Sequence, residues 1–238
     1  MSIHFAQITD VHVKEPGTEV RLAEALTRIE ALRPTPDWVV FTGDMVEYGT
    51  EAEFAVLMPV LEAMRVQRYC LPGNHDSGNR SDFSLYERHL GALCQSFDSG
   101  GYHCVLLNTC NSSDDPDDWH GLVEAPALAW LGDDLRGVPA EQPVVLFHHH
   151  GLVGPEEDLS CDTANAQDVL DLLAGHNLVA AFGGHAHALR RFTWGDAELF
   201  LVPNLSMTRP NHANQPTGFL EVFIGNRDVN ARYHIVEA

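Results

Sequence analysis

Five short segments carry the residues best suited to bind metal or move protons: Asp10-Val11-His12, Gly43-Asp44, Gly73-Asn74-His75-Asp76, His148-His149-His150 and Gly183-Gly184-His185-Ala186-His187. Imidazole suits zinc, manganese, iron and nickel, whereas carboxylates and an amide oxygen favour manganese or iron. No cysteine joins the set, which argues against a structural zinc site. The donors read as an inventory for two divalent or trivalent ions, with Asp44 able to give one oxygen to each. Taken singly, each segment has an ordinary reading. Asp-x-His recurs by accident, Gly-Asp before a helix is a turn with an N-cap, and Gly-Asn-His-Asp is a loop. The ordered set of five is far more specific than any of its members. Glycines before Asp44, Asn74 and His185 let backbone pass close to an ion without a Cβ clash.

Each segment follows a short apolar, β-branched run. Strands are expected at 3–9, 38–42, 68–71, 144–147 and 178–182, with a further one at 103–108. Helices are expected at 20–32, 51–64, 83–90, 125–135 and 164–173. In the first of these, Leu22, Ala25, Leu26, Ile29 and Leu32 follow the 3.6-residue period of one buried helix face. After Gly184 the texture changes to strands at 190–194, 198–202, 218–224 and 231–236, separated by turn signals such as Gly195-Asp196 and Gly225-Asn226. Strands alternating with helices, followed by hairpins, imply an α/β protein of mixed sheets covered by helices. With no linker and no repeat, residues 1–238 read as a single domain. Ligands of such sheets bind beyond the carboxyl ends of the strands, and the five segments converge on that edge.

Composition restricts the partners. The chain has 238 residues, 34 acidic and 14 basic side chains, a net charge of −20 and 14 histidines. Lys14 is its only lysine. A grip on long nucleic acid needs clustered Lys and Arg, and so does adhesion to an anionic membrane, so neither partner is expected. The N-terminus has no basic region and reaches Asp10 before a signal-peptide core could form. No apolar run approaches the roughly 20 residues that span a bilayer. The five cysteines, Cys70, Cys94, Cys104, Cys110 and Cys161, lack paired CxxC spacing and read as reduced, buried thiols of a cytoplasmic protein.

The ordered set Asp-x-His, Gly-Asp, Gly-Asn-His-Asp, His-His-His and Gly-His-x-His resembles the calcineurin-like metallophosphoesterase superfamily. Ile8-Thr9-Asp10 and Leu71-Pro72-Gly73-Asn74-His75-Asp76 are similar to segments of the bacterial class III cyclic-nucleotide phosphodiesterases and glycerophosphodiesterases. The likeness covers roughly residues 3–205. It implies a four-layer α/β/β/α sandwich of two mixed sheets flanked by helices. It also implies two metal ions, manganese or iron first and zinc or cobalt next. One ion would be held by Asp10, His12, Asp44 and His187. The other would be held by Asp44, Asn74, His148 and His185, the first of the three consecutive histidines being the ligand.

The activity so implied is hydrolysis of a small phosphodiester, a 3′,5′-cyclic nucleotide or a glycerophosphodiester, by a metal-activated hydroxide. The alternative is a phosphomonoesterase or nuclease on the same centre, and the remotest is a non-catalytic scaffold. His75 would act outside the ligand set on the leaving oxygen, with Asp76 orienting its ring. His149 and His150 would line the pocket, and Asn204, Arg209 and His212 would contact the substrate. Gly151 stands where a proline is usual, and Glu47 replaces a more frequent aspartate. Relatives also suggest a homo-oligomer.

Overall fold

The computed structural model describes residues 1–78, 81–113, 118–155, 157, 159–206 and 216–236. In chain order its first half comprises β1 (Ser2–Ile8), α1 (Val20–Ala31), β2 (Trp38–Thr42), α2 (Glu51–Glu62), β3 (Gln67–Leu71), a 3-10 turn (Asn74–Asp76), α3 (Ser84–Leu90), β4 (Gln95–Ser99) and β5 (Tyr102–Leu106). The second half comprises α4 (Ala125–Arg136), β6 (Pro143–Phe147), α5 (Ala166–Leu173), β7 (Asn177–Gly183), β8 (Arg190–Trp194), β9 (Ala197–Leu201), β10 (Gly218–Gly225) and β11 (Asp228–Ile235).

Two mixed sheets result, one five-stranded in the order β11-β10-β1-β2-β3 and one six-stranded in the order β4-β5-β6-β7-β9-β8. Strands β1, β2 and β3 are parallel, as are β5, β6, β7 and β9, so their carboxyl ends gather along one edge. Alternation along each strand splits its side chains between two layers. Ile3, Phe5, Val40, Leu71, Val145, Phe147 and Phe182 pack between the sheets. Ala6, Ile8, Val39 and Phe41 face outward onto Leu22, Leu26 and Ile29 of α1 and Phe54 and Leu57 of α2. On the far side Val144 and Leu146 meet Leu131 and Leu135 of α4 and Val169 and Leu173 of α5. This is the expected four-layer sandwich. Burying Phe5, Phe41, Phe147 and Phe182 completely contributes about 1.5–3 kcal/mol each before entropy is counted.

Two features depart from the sequence expectation. Strand β4 was not anticipated: Gln-Ser-Phe-Asp-Ser is polar and lies at the edge of its sheet, where only its pairing with β5 defines it. The closing strands also divide between sheets. The β8/β9 hairpin extends the second sheet, whereas β10 and β11 return to lie beside β1. Both hairpins put side chains into the inter-sheet core, Phe200 from β9 and Leu220, Val222 and Ile224 from β10, and only the pairing of β9 with β7 and of β10 with β1 separates them.

Candidate metal centre

The segments that follow β1 and β2 are stitched together by their backbones, as are those that follow β6 and β7. Asp10 N–H donates to the Gly43 carbonyl (3.0 Å), His12 N–H to Asp44 (2.9 Å), and Gly184 N–H to His149 (3.0 Å). Beneath them Gln7 joins the two sheets, donating to Thr42 Oγ1 (2.9 Å) and to the Gly183 carbonyl (3.0 Å). Asp10, His12, Asp44, His185 and His187 all adopt left-handed φ values, 53°, 50°, 55°, 63° and 50°. That conformation costs non-glycine residues on the order of 1–3 kcal/mol each and persists where surrounding structure imposes it, commonly at functional sites. Two glycines allow the close approach. A Cβ at Gly73 would collide with Asp44 Oδ1, and one at Gly184 with Thr9 Oγ1.

Asp10 and Asp44 are both buried, and each carboxylate is oriented from an opposing segment. Asp10 Oδ2 accepts from Thr9 Oγ1 (2.6 Å) and from His185 N–H (3.1 Å), and Asp44 Oδ1 accepts from His75 N–H (2.9 Å). Around them the donor atoms of Asp10, His12 and His187 lie within 4.8 Å of one another. So do those of Asp10, Asp44 and His149, and those of His149, His150 and His185. His12 Nε2 is 3.8 Å from Asp10 Oδ1 and 3.6 Å from Asp44 Oδ2. His187 Nε2 is 3.0 Å from Asp10 Oδ1.

The triple histidine is placed differently from expectation. His149, not His148, reaches the centre. Its Nδ1 donates to the Thr42 carbonyl (2.7 Å), which turns Nε2 toward Asn74 Oδ1 (3.2 Å) and Asp44 Oδ2 (3.3 Å). His148 turns the other way. Its Nδ1 donates to the His150 carbonyl (2.8 Å), its ring lies against Gly183, and it joins none of the donor clusters. Consecutive residues at a strand end point to opposite sides, so only one of the two can face the edge. His150 lies beside His185, with ring centroids 4.5 Å apart. Thr109 Oγ1 accepts from the backbone N–H of His149 (3.3 Å) and His150 (3.1 Å) and directs its own hydrogen to His150 Nδ1 (3.0 Å). His150 Nε2 therefore carries the hydrogen, and it has no hydrogen-bond partner among the described residues.

Two further expectations change. Asp76 does not orient His75. It is fully buried, and its carboxylate accepts from Met45 N–H (2.7 Å), Val46 N–H (3.0 Å) and Gly73 N–H (2.8 Å), tying the turn after β2 to the turn after β3. His75 is instead held by the Glu47 carbonyl at Nδ1 (2.8 Å) and by Trp119, stacked at 5.0 Å. Asn204 is buried behind the site, not in a substrate pocket, and its amide nitrogen lies 3.1 Å from His187 Nδ1. Arg209 and His212 lie outside the described residues.

Electrostatics bear on whether ions fit. Burial alone would raise Asp10 and Asp44, but the histidine rings, His187 foremost for Asp10 and His149 for Asp44, outweigh it and hold both below the usual carboxylate range. In return Asp44 and Asp10 overcome the burial penalty on His149 and push it up to about 10. Burial brings His148 down to about 4. The two buried carboxylates thus have the protonated His149 as a counter-charge, and divalent ions would supply positive charge while leaving that imidazole neutral. The donor set, its spacing and the imposed backbone fit a pair of ions.

Glu47 and Asp162 were not identified from the sequence as partners of the cluster histidines. Glu47 Oε2 lies 3.0 Å from His12 Nδ1, and Asp162 Oδ2 lies 2.9 Å from His185 Nε2. Glu47 had a signal, three residues beyond Asp44. Asp162 lies in the loop 154–165, which was expected to approach the site, but nothing in its spacing singled out that residue.

Residues 3–189 match the family described as calcineurin-like phosphoesterase. A 3′,5′-cyclic-nucleotide phosphodiesterase from Nostoc is 30% identical over 79% of this chain and 72% of its own length. A probable glycerophosphodiester phosphodiesterase from Arcobacter nitrofigilis is 30% identical over 79% of this chain and 73% of its own. Among solved structures, a dimetal phosphatase from Danio rerio superposes with a TM-score of 0.71 at 16% identity, covering 99% of each chain. A purple acid phosphatase from yellow lupin superposes with a TM-score of 0.73 at 13% identity, covering 99% of this chain and 52% of that one. Motifs, fold and family match agree, and this chain belongs to the calcineurin-like phosphoesterase family.

Proposed function

We propose that the protein hydrolyses a small phosphodiester, a 3′,5′-cyclic nucleotide or a glycerophosphodiester, at a dinuclear metal centre. The observation that carries this reading is the convergence of Asp10, His12, Asp44, Asn74, His149, His185 and His187 from five strand ends, five of them with left-handed backbone. Asp10, His12, Asp44 and His187 would hold one ion. Asp44, Asn74, His149 and His185 would hold the other, His149 taking the place expected for His148. When bound, two such ions acidify water and polarise a phosphoryl oxygen. Manganese or iron suits this mixture of imidazole, carboxylate and amide oxygen, with zinc or cobalt as substitutes.

The chain's own groups do the rest. The Glu47 carbonyl can only accept, so His75 Nδ1 carries hydrogen and Nε2 is the atom left to exchange a proton with the leaving oxygen. Trp119 stacks on that ring and His12 meets it edge-on at 4.7 Å, which limits its rotation. His150 Nε2–H is a neutral donor beside the centre, suited to a phosphoryl oxygen. Only two carboxylates stand among the donors, so bound cations leave surplus positive charge for a phosphodiester monoanion despite the net charge of −20. A cytoplasmic location accords with five free cysteines, including Cys70, whose thiol burial pushes up to about 12.

The test is hydrolysis of cyclic AMP, glycerophosphocholine, bis-p-nitrophenyl phosphate and p-nitrophenyl phosphate after reconstitution with manganese, iron, cobalt or zinc. Turnover of a diester above the monoester is expected. Absence of diester turnover with every metal would contradict the proposal.

A further inference from the structure

His185 has a partner that no strand-end motif supplies. Its Nε2 lies 2.9 Å from Asp162 Oδ2. A carboxylate accepts and cannot donate, so Nε2 carries the hydrogen and the lone pair is left on Nδ1. The contact therefore selects the ring atom that His185 can offer to an ion. The other Asp162 oxygen is 3.7 Å from His120 Nε2, so His185 is the nearer of the two imidazoles to this carboxylate.

Asp162 is itself held in place. It is 7% exposed, its N–H donates to the Gly151 carbonyl (3.0 Å), and its carbonyl accepts from Gly121 N–H (2.9 Å). Isolated bridges Leu152↔Cys161 and Gly121↔Thr163 flank it. A loop pinned at these points presents a carboxylate in one orientation, which is what a partner of a metal-binding imidazole requires.

We propose that Asp162 is a positioning residue for the second ion, fixing the tautomer and ring orientation with which His185 presents Nδ1. The proposal rests on the dinuclear reading and is independent of which phosphoester is cleaved. Its geometry parallels that of Glu47 on His12, so each ion would have one histidine backed by a carboxylate from outside the donor set.

The experiment compares wild type, Asp162→Ala and Asp162→Asn as folded full-length proteins titrated with Mn(II). Bound metal and the electron paramagnetic resonance spectrum are read together. In Asp162→Ala one equivalent should bind as in wild type and the other about 10–100-fold more weakly. The spectrum of a coupled pair should give way to that of an isolated ion. Asp162→Asn keeps an acceptor oxygen for Nε2–H and should recover most of the loss. Two equivalents bound with unchanged affinity in Asp162→Ala would overturn the proposal, as would equal weakening of both equivalents in both variants. A wild-type protein that binds two equivalents yet cleaves no diester removes the substrate reading and leaves this one intact.

Discussion

Glu47 braces His12 from the far side of the turn that follows β2, with Oε2 3.0 Å from His12 Nδ1. The same residue holds His75 through its main-chain carbonyl, 2.8 Å from Nδ1. One residue thus contacts His12, a ligand of the proposed first metal position, and His75, the proposed proton-exchanging group, by two different atoms. Only the first contact can be removed by mutation.

Glu47→Ala should therefore lower metal affinity at the first position about 10–100-fold while leaving kcat at saturating metal close to wild type. Glu47→Gln, which keeps an acceptor, should lose less. Activity measured across a metal titration separates the two effects. A fall in kcat that saturating metal does not restore would show that the carboxylate acts on the reaction itself.

The triple histidine offers a direct contrast. His149→Ala should lose the second metal equivalent and with it the activity. His148→Ala should retain both equivalents and lose stability instead, by about 1–3 kcal/mol, because its ring packs at a buried position without reaching Asn74 or Asp44. Metal content and urea denaturation of the two variants decide the assignment, and the opposite pattern would return the ligand role to His148.

Proton release follows from the His149 environment. In the metal-free protein its pKa is raised from 6.5 to about 10. The resulting stabilisation is complete below 6.5 and is lost as pH rises through about 10. Asp10 and Asp44 are shifted the other way, so their contribution is present at neutral pH and is lost on acidification. Melting temperature of the metal-free protein should fall between pH 6.5 and 10, and metal should remove most of that slope by displacing the His149 proton. Calorimetric metal titration at pH 7.5 in two buffers of different ionisation enthalpy should register proton release. Identical heats in both buffers would exclude it.

Asp76 is expected to govern stability. Asp76→Ala leaves the buried N–H groups of Met45, Val46 and Gly73 without their acceptor, a loss of about 3 kcal/mol or more in urea unfolding. Folded enzyme at saturating metal should keep kcat within several-fold of wild type. Unchanged stability with abolished turnover would restore the catalytic role first expected for this residue.

Much of the fold and centre was legible because the motifs stand where apolar runs stop. Ile8, Thr42, Leu71, Phe147 and Gly183 end strands, and the donors that follow must then share an edge. Pattern could not resolve the phase of His148 against His149, since one residue of shift reverses the face and the sequence repeats the same residue three times. Asp76 reads alike as a ring-orienting acid and as a loop tie, and only its three backbone donors distinguish them. Asn204 and Asp162 reach His187 and His185 from loops distant in sequence, and no local spacing encodes such meetings. Strand β4 is hidden for a related reason, its pairing with β5 outweighing a polar composition.

The central claim is that two ions flank Asp44. Anomalous diffraction at the manganese edge from crystals soaked in Mn(II) tests it most directly. Two peaks roughly 3.5–4 Å apart are expected. One should lie among Asp10, His12 and His187 and the other among Asn74, His149 and His185, with the Asp44 carboxylate between them. A single peak, or a pair with His148 in place of His149, would contradict the account.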